Sequence, residues 1–127
     1  MGLDMYLNKK TVNGNSEEVI YWRKANQIFA WFETHCAPVE NCNPVSVSED
    51  NLIELLDTIN RVLAVPEKAS ELLPVTQGFF FGSYEYNEHY FGQLRYTKEQ
   101  LEKVFSDIAD SNPNNLNESE FEFVAWW

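Results

Sequence analysis

Long apolar runs are missing from this chain: no stretch of its 127 residues approaches the roughly 20 needed to cross a bilayer. The opening Met1-Gly2-Leu3-Asp4-Met5-Tyr6 has neither the basic segment nor the apolar core of a secretory signal. Tyr6 stands where an N-myristoylation signal requires Ser or Thr. These absences lead to the expectation of a cytoplasmic protein, neither exported nor membrane-bound. The sequon Asn117-Glu118-Ser119 would then carry no meaning.

Cysteine is scarce as well. Cys36 and Cys42 are the only two, and in a reducing compartment they are expected as free thiols. With His35 and His89 they make four potential zinc ligands. Adjacent His35 and Cys36 project in different directions, however, and the spacing fits no finger or ribbon, so neither a metal nor any other cofactor is expected. No Ser-His-Asp or Cys-His pattern is present, and no Gly-rich phosphate cradle of P-loop or Rossmann form.

Positive charge is lacking over most of the chain. Residues 1–32 hold three acids and four bases, whereas the other 95 hold seventeen acids and five bases and account for the whole net charge of −11. After Lys103 no base follows, while Asp107, Asp110, Glu118, Glu120 and Glu122 do. Such a surface repels phosphate backbones, which argues against direct nucleic-acid binding, and attracts a basic protein partner. The same charge also serves solubility alone.

What is abundant is aromatic surface: nineteen residues within a 44% hydrophobic composition, enough for a packed core in one domain, 1–127. Leu3, Met5 and Leu7 alternate with polar neighbours as a half-buried strand does. Asn13-Gly14-Asn15 supplies a turn, and Glu18 to Trp22 is expected to pair back. From Arg23 the period becomes helical, with Ala25, Ile28, Phe29 and Phe32 inward, Gln27 and Glu33 elsewhere, and an end near Cys36. Pro38 to Pro44 reads as an irregular connection, and Val45-Ser46-Val47 as its lead into a second helix over 49–64. That helix is capped by Ser48, carries the stripe Leu52, Leu55, Leu56, Ile59 and Leu63, and is stopped by Pro66. Glu67 to Leu73 adds a short helical turn. A third helix is expected from Thr97, in a capping box with Gln100, to about Asp110, with Asn87 to Tyr96 as a separate helical candidate. Phe121, Phe123, Ala125 and Trp127 then alternate as a C-terminal strand. Strands at both ends with helices between them predict an α+β fold, a small antiparallel or mixed sheet packed against three main helices.

Two candidate sites stand out. Between Val75 and Gly92 seven of eighteen residues are aromatic, and Gly78 and Gly82 bracket Phe79, Phe80 and Phe81 as a short buried strand. Beside them Tyr84, Glu85, Tyr86, Glu88, His89 and Tyr90 gather hydroxyls, carboxylates and an imidazole. On a helix Glu85 and His89 would share one face, giving a tuned acid or base with Tyr86 orienting a substrate. The same cluster also reads as packing with a solvated fringe, or as a recognition surface. The second candidate is the row Glu118, Glu120 and Glu122, at intervals of roughly 6.7 Å on a strand. Such a row imitates a nucleic-acid backbone to a Lys- and Arg-rich protein, or simply guards a sheet edge. Trp126, on the same strand, is a candidate anchor.

MGLDMYLNKK, YWRKANQIFAWF and LLPVTQGFFFGSYEYNEHYF resemble small bacteriophage- and prophage-encoded proteins of uncharacterised activity. The resemblance implies a bacterial host cytoplasm and a counter-defence role of the anti-CRISPR kind. The expected function is inhibition of a basic, nucleic-acid-binding bacterial protein. Long-range attraction would come from the carboxylates of residues 99–122, and anchoring from exposed aromatics at Tyr84, Tyr86 and Trp126. The alternatives are a small enzyme or metabolite-binding protein built on Tyr84–Tyr90, and a homo-oligomeric structural component.

Overall fold

The computed structural model describes residues 3–10, 15–76, 85–111 and 120–127. Four antiparallel strands form one sheet in the order β2-β1-β4-β3: β1 Asp4–Lys10, β2 Ser16–Arg23, β3 Val45–Ser48 and β4 Glu120–Trp126. Helices α1 Asn26–His35, α2 Glu49–Ala64, α3 Ala69–Leu72 and α4 Glu88–Ser111 complete an α+β fold, with a 3-10 turn at Pro66–Lys68. The strands nearest the two termini, β1 and β4, lie side by side in the middle of the sheet. The segment Gly78–Gly82, with its three phenylalanines, lies outside the described residues, as do Asn13, Gly14, Tyr84 and Glu118.

Alternation decides which face of the sheet is covered. Leu3, Met5, Leu7, Ile20, Trp22, Val45, Val47, Phe121, Phe123 and Ala125 are all buried, and the helices lie over them. The intervening residues, Asp4, Tyr6, Asn8, Tyr21, Arg23, Glu122, Val124 and Trp126 among them, are half-buried or exposed. Among the described residues the result is two layers, with one face of the sheet bearing no helix. A bulge opposite Leu7 and Asn8 admits Val19 as an extra residue in β2.

At the centre of the covered face, the Phe32 ring from α1 stacks on Phe123 of β4, with centroids 4.2 Å apart. Trp22 of β2 packs edge-on to Phe32 at 6.1 Å. Its indole N–H would be stranded in this apolar setting, but it donates to Thr97 Oγ1 on α4 at 2.8 Å, and the Thr97 hydroxyl donates back to Gln93 O at 2.8 Å. This arrangement corrects the expectation of a helix starting at Thr97. The helix runs unbroken from Glu88, and Thr97 is a fully buried interior residue serving Trp22 rather than a cap. Asn87 marks the start instead, its Oδ1 accepting from His89 N at 3.1 Å and Tyr90 N at 3.2 Å.

Three further differences arise from packing. Val45–Ser48 is a strand on the open edge of β4 and not merely a lead into α2, because four residues are too few for alternation to register alone. Arg23 ends β2, so α1 begins only at Asn26. Gln27, placed off the apolar stripe by the helical wheel, is buried. The second helix is as expected: Ser48 and Asn51 cap α2 reciprocally, and Leu52, Leu55 and Ile59 are fully buried.

Replacing Thr97 by Val leaves the Trp22 N–H without a partner and is expected to lower stability by about 1–3 kcal/mol in urea denaturation. Ser48→Ala is expected to cost about 1 kcal/mol by removing the α2 cap.

Candidate functional site

The Tyr84–Tyr90 region is built around the start of α4. Glu85 precedes the helix and accepts from Asn87 Nδ2 at 3.4 Å, so it does not stand one helical turn before His89 on a common face. The Tyr86 hydroxyl accepts from Val75 N at 3.1 Å, and the Tyr90 hydroxyl donates to Leu73 O at 2.6 Å. The two rings meet edge to face at 5.0 Å. Both hydroxyls therefore hold residues 73–75 against α4. Burial raises the Tyr90 phenol well above its ordinary range, with the charge of Tyr86 a smaller contributor. Glu88 is ion-paired with Arg95.

His89 takes a different position. It lines a cleft of about 560 Å³ formed by Tyr21, Trp22, Arg23 and Ala25 at the end of β2 and by Glu88, Gly92, Gln93 and Tyr96 on α4. The Gln93 amide nitrogen lies 3.2 Å from His89 Nε2 and 3.3 Å from Arg23 O, while its Oε1 accepts from buried Gln27 at 2.9 Å. An amide nitrogen only donates, so Nε2 of a neutral His89 accepts and the ring proton sits on Nδ1. Tyr96 donates to Tyr21 O at 2.8 Å. Gln93 and Tyr96 thus cover backbone carbonyls on the outer edge of β2, which would otherwise invite another strand. Neither Glu85 nor Tyr86 is among the cleft's lining residues. Tyr21, Trp22, Arg23, Gln93 and Tyr96 escaped sequence reading because their partners lie some 70 residues away in the chain.

The open sheet face carries the second candidate. Cross-strand rows run Arg23–Asp4–Trp126 and Tyr21–Tyr6–Val124. The Tyr6 and Tyr21 rings lie 5.2 Å apart, and Tyr21 donates to Asp4 Oδ1 at 2.5 Å. Trp126 is 51% exposed. Glu120 and Glu122 do share this face, and Glu122 meets Lys10 at 3.2 Å. On α4 the acids Glu99, Glu102 and Asp107 are interspersed with Lys98 and Lys103, so negative charge there is mixed with positive. It is less diluted elsewhere. From residue 25 to residue 60 no Lys or Arg occurs, while Glu33, Glu40, Glu49, Asp50, Glu54 and Asp57 do. These residues belong to α1, β3, α2 and their connections, and His35 Nε2 at 4.0 Å from Glu54 brings the end of α1 against α2.

His35 stacks on Trp31 at 4.4 Å, and its Nδ1 lies within hydrogen-bonding distance of Trp31 O. Cys36 is half-buried with its thiol pushed up to about 11 by burial and by Glu54, whereas Cys42 is exposed. Among the described residues, no three His, Cys, Asp or Glu side chains converge to hold a metal ion. No described helix is long and apolar enough to cross a membrane.

No protein-family profile matches the chain, and no curated protein or solved structure is significantly similar to it.

The hydrogen bond to Asp4, reinforced by partial burial and the Asp4 charge, raises the Tyr21 phenol to about 12. A folded-state value above the unfolded one favours the neutral phenol. The stabilisation is therefore complete below about pH 10 and is lost as pH rises through the folded value. Ultraviolet difference titration is expected to show two late phenols, of which the one near pH 12 disappears in Tyr21→Phe and titrates earlier in Asp4→Asn, while that of Tyr90 persists in both.

Proposed function

We propose that this chain is an acidic protein-binding domain that covers a basic, nucleic-acid-binding surface on a bacterial partner. The observation that carries the reading is the sheet face that bears no helix among the described residues, where the Tyr6–Tyr21 ring pair and a half-exposed Trp126 share one side of a molecule of net charge −11. Exposed aromatics on a rigid sheet supply desolvated anchors at little entropic cost, and surplus carboxylates steer a basic surface toward them. A counter-defence inhibitor of the anti-CRISPR kind is the specific role proposed, on the strength of the resemblance of MGLDMYLNKK and YWRKANQIFAWF to phage-encoded proteins.

Affinity capture from bacterial lysate at low ionic strength is expected to recover a basic nucleic-acid-binding protein whose retention falls steeply with added salt. Trp126→Ala is expected to weaken the purified complex by about 2 kcal/mol or more, as loss of a central aromatic anchor does. The captured partner is also expected to lose nucleic-acid binding when the wild-type chain is added. Recovery of no basic partner at low salt, or wild-type affinity in the Trp126 variant, would remove the proposal.

A further inference from the structure

The cleft between β2 and α4 contains a residue that the fold does not account for. Gly92 lies inside a 24-residue helix, where glycine is less favourable than alanine by about 1 kcal/mol. Crowding often justifies such a glycine, but it does not do so here. A Cβ built at Gly92 meets only Arg95 Nη2, at 3.8 Å, an ordinary van der Waals contact. The missing side chain leaves room on the cleft lining instead, beside the aromatic side chain of Tyr96 and the buried Trp22.

Charge sets this place apart from the rest of the protein. Arg23 lines the cleft, Lys24 follows it, and neither makes an ion pair among the described residues. The carboxylate of Glu88, on the same lining, is neutralised by Arg95. His89 is held by Gln93 in the tautomer that keeps a donor on Nδ1. An otherwise acidic chain thus presents a shallow, largely apolar cleft bordered by Arg23, which has no ion pair among the described residues, and by His89. The volume, about 560 Å³, is within the range of small-molecule sites.

We propose that this cleft binds a small planar aromatic molecule bearing an acidic group, with the ring over Gly92 against Tyr96 and the acid on Arg23. A flat ring exploits the missing Cβ and the Tyr96 ring, and guanidinium is the side chain best suited to carboxylate or phosphate. The inference does not depend on the sheet-face reading, since it needs neither Trp126 nor a macromolecular partner.

The test is calorimetric titration of the full chain with indole-3-acetate and adenosine 5′-monophosphate, against neutral indole and acetate. One of the two aromatic acids is expected to bind saturably at one site, more tightly than indole, with acetate silent; which of them binds identifies the acid as carboxylate or phosphate. Gly92→Leu is expected to abolish that binding while raising the unfolding midpoint by about 2–5 °C, because leucine is the better helix former. Loss of binding in a more stable variant excludes misfolding as its cause. Arg23→Gln is expected to weaken the aromatic acid about tenfold and to leave indole unchanged. Saturable binding of neither aromatic acid, undiminished binding in Gly92→Leu, or equal loss of acid and neutral ligand in Arg23→Gln would each overturn the proposal.

Discussion

The Trp22 indole is the constraint on which the rest of the molecule depends. Its ring lies on the covered face of the sheet against Phe32 of α1 and near Phe123 of β4, while its N–H reaches Thr97 of α4. One side chain therefore ties a strand to two helices and to a second strand. A buried indole N–H without an acceptor, as that of Trp31 on α1 is among the described residues, is costly, and the Trp22 N–H avoids this cost by having an acceptor. Thr97 supplies it only if α4 passes over β2 at this height. That crossing places Gln93 and Tyr96 along the β2 edge and opens the cleft beside Gly92.

One-sided coverage follows from the same geometry. Strand alternation sends every second residue to the core, and the helices satisfy that face alone. The opposite face keeps Tyr6, Tyr21, Val124 and Trp126 together with Asp4, Arg23 and Glu122, a mixture too polar for a second core and too aromatic for simple solvation. Both functional proposals use surfaces left over from this arrangement. The sheet face suits a large partner, and the cleft at its margin suits a small ligand. Tyr21 takes part in both, its hydroxyl turned to Asp4 and its carbonyl to Tyr96.

The Glu85–His89 region is a cluster in sequence that disperses in space. Tyr86 and Tyr90 spend their hydroxyls on the backbone of residues 73–75. Glu85 stays outside the helix, and His89, unlike Glu85 and Tyr86, lines the cleft beside β2. Its neighbours there come from β2. Only a contact across some 70 residues assembles that set, and no local pattern encodes such a contact.

Periodicity by itself determined the α+β class, the inward faces of β1, α2 and β4, and the Ser48 cap, because each depends on residues within a turn or two of one another. Net charge and the absence of long apolar runs were equally plain. The tertiary structure decided the rest: that Thr97 is an interior partner of Trp22, that Val45–Ser48 adds to β4 as a strand, and that Gln27 is buried. It alone decided which face of the sheet the described helices cover and which residues line the cleft with Gly92. These outcomes turn on satisfying buried polar groups and pairing strand edges across long sequence separations, and the partner that satisfies each of them is set only when the whole chain has packed.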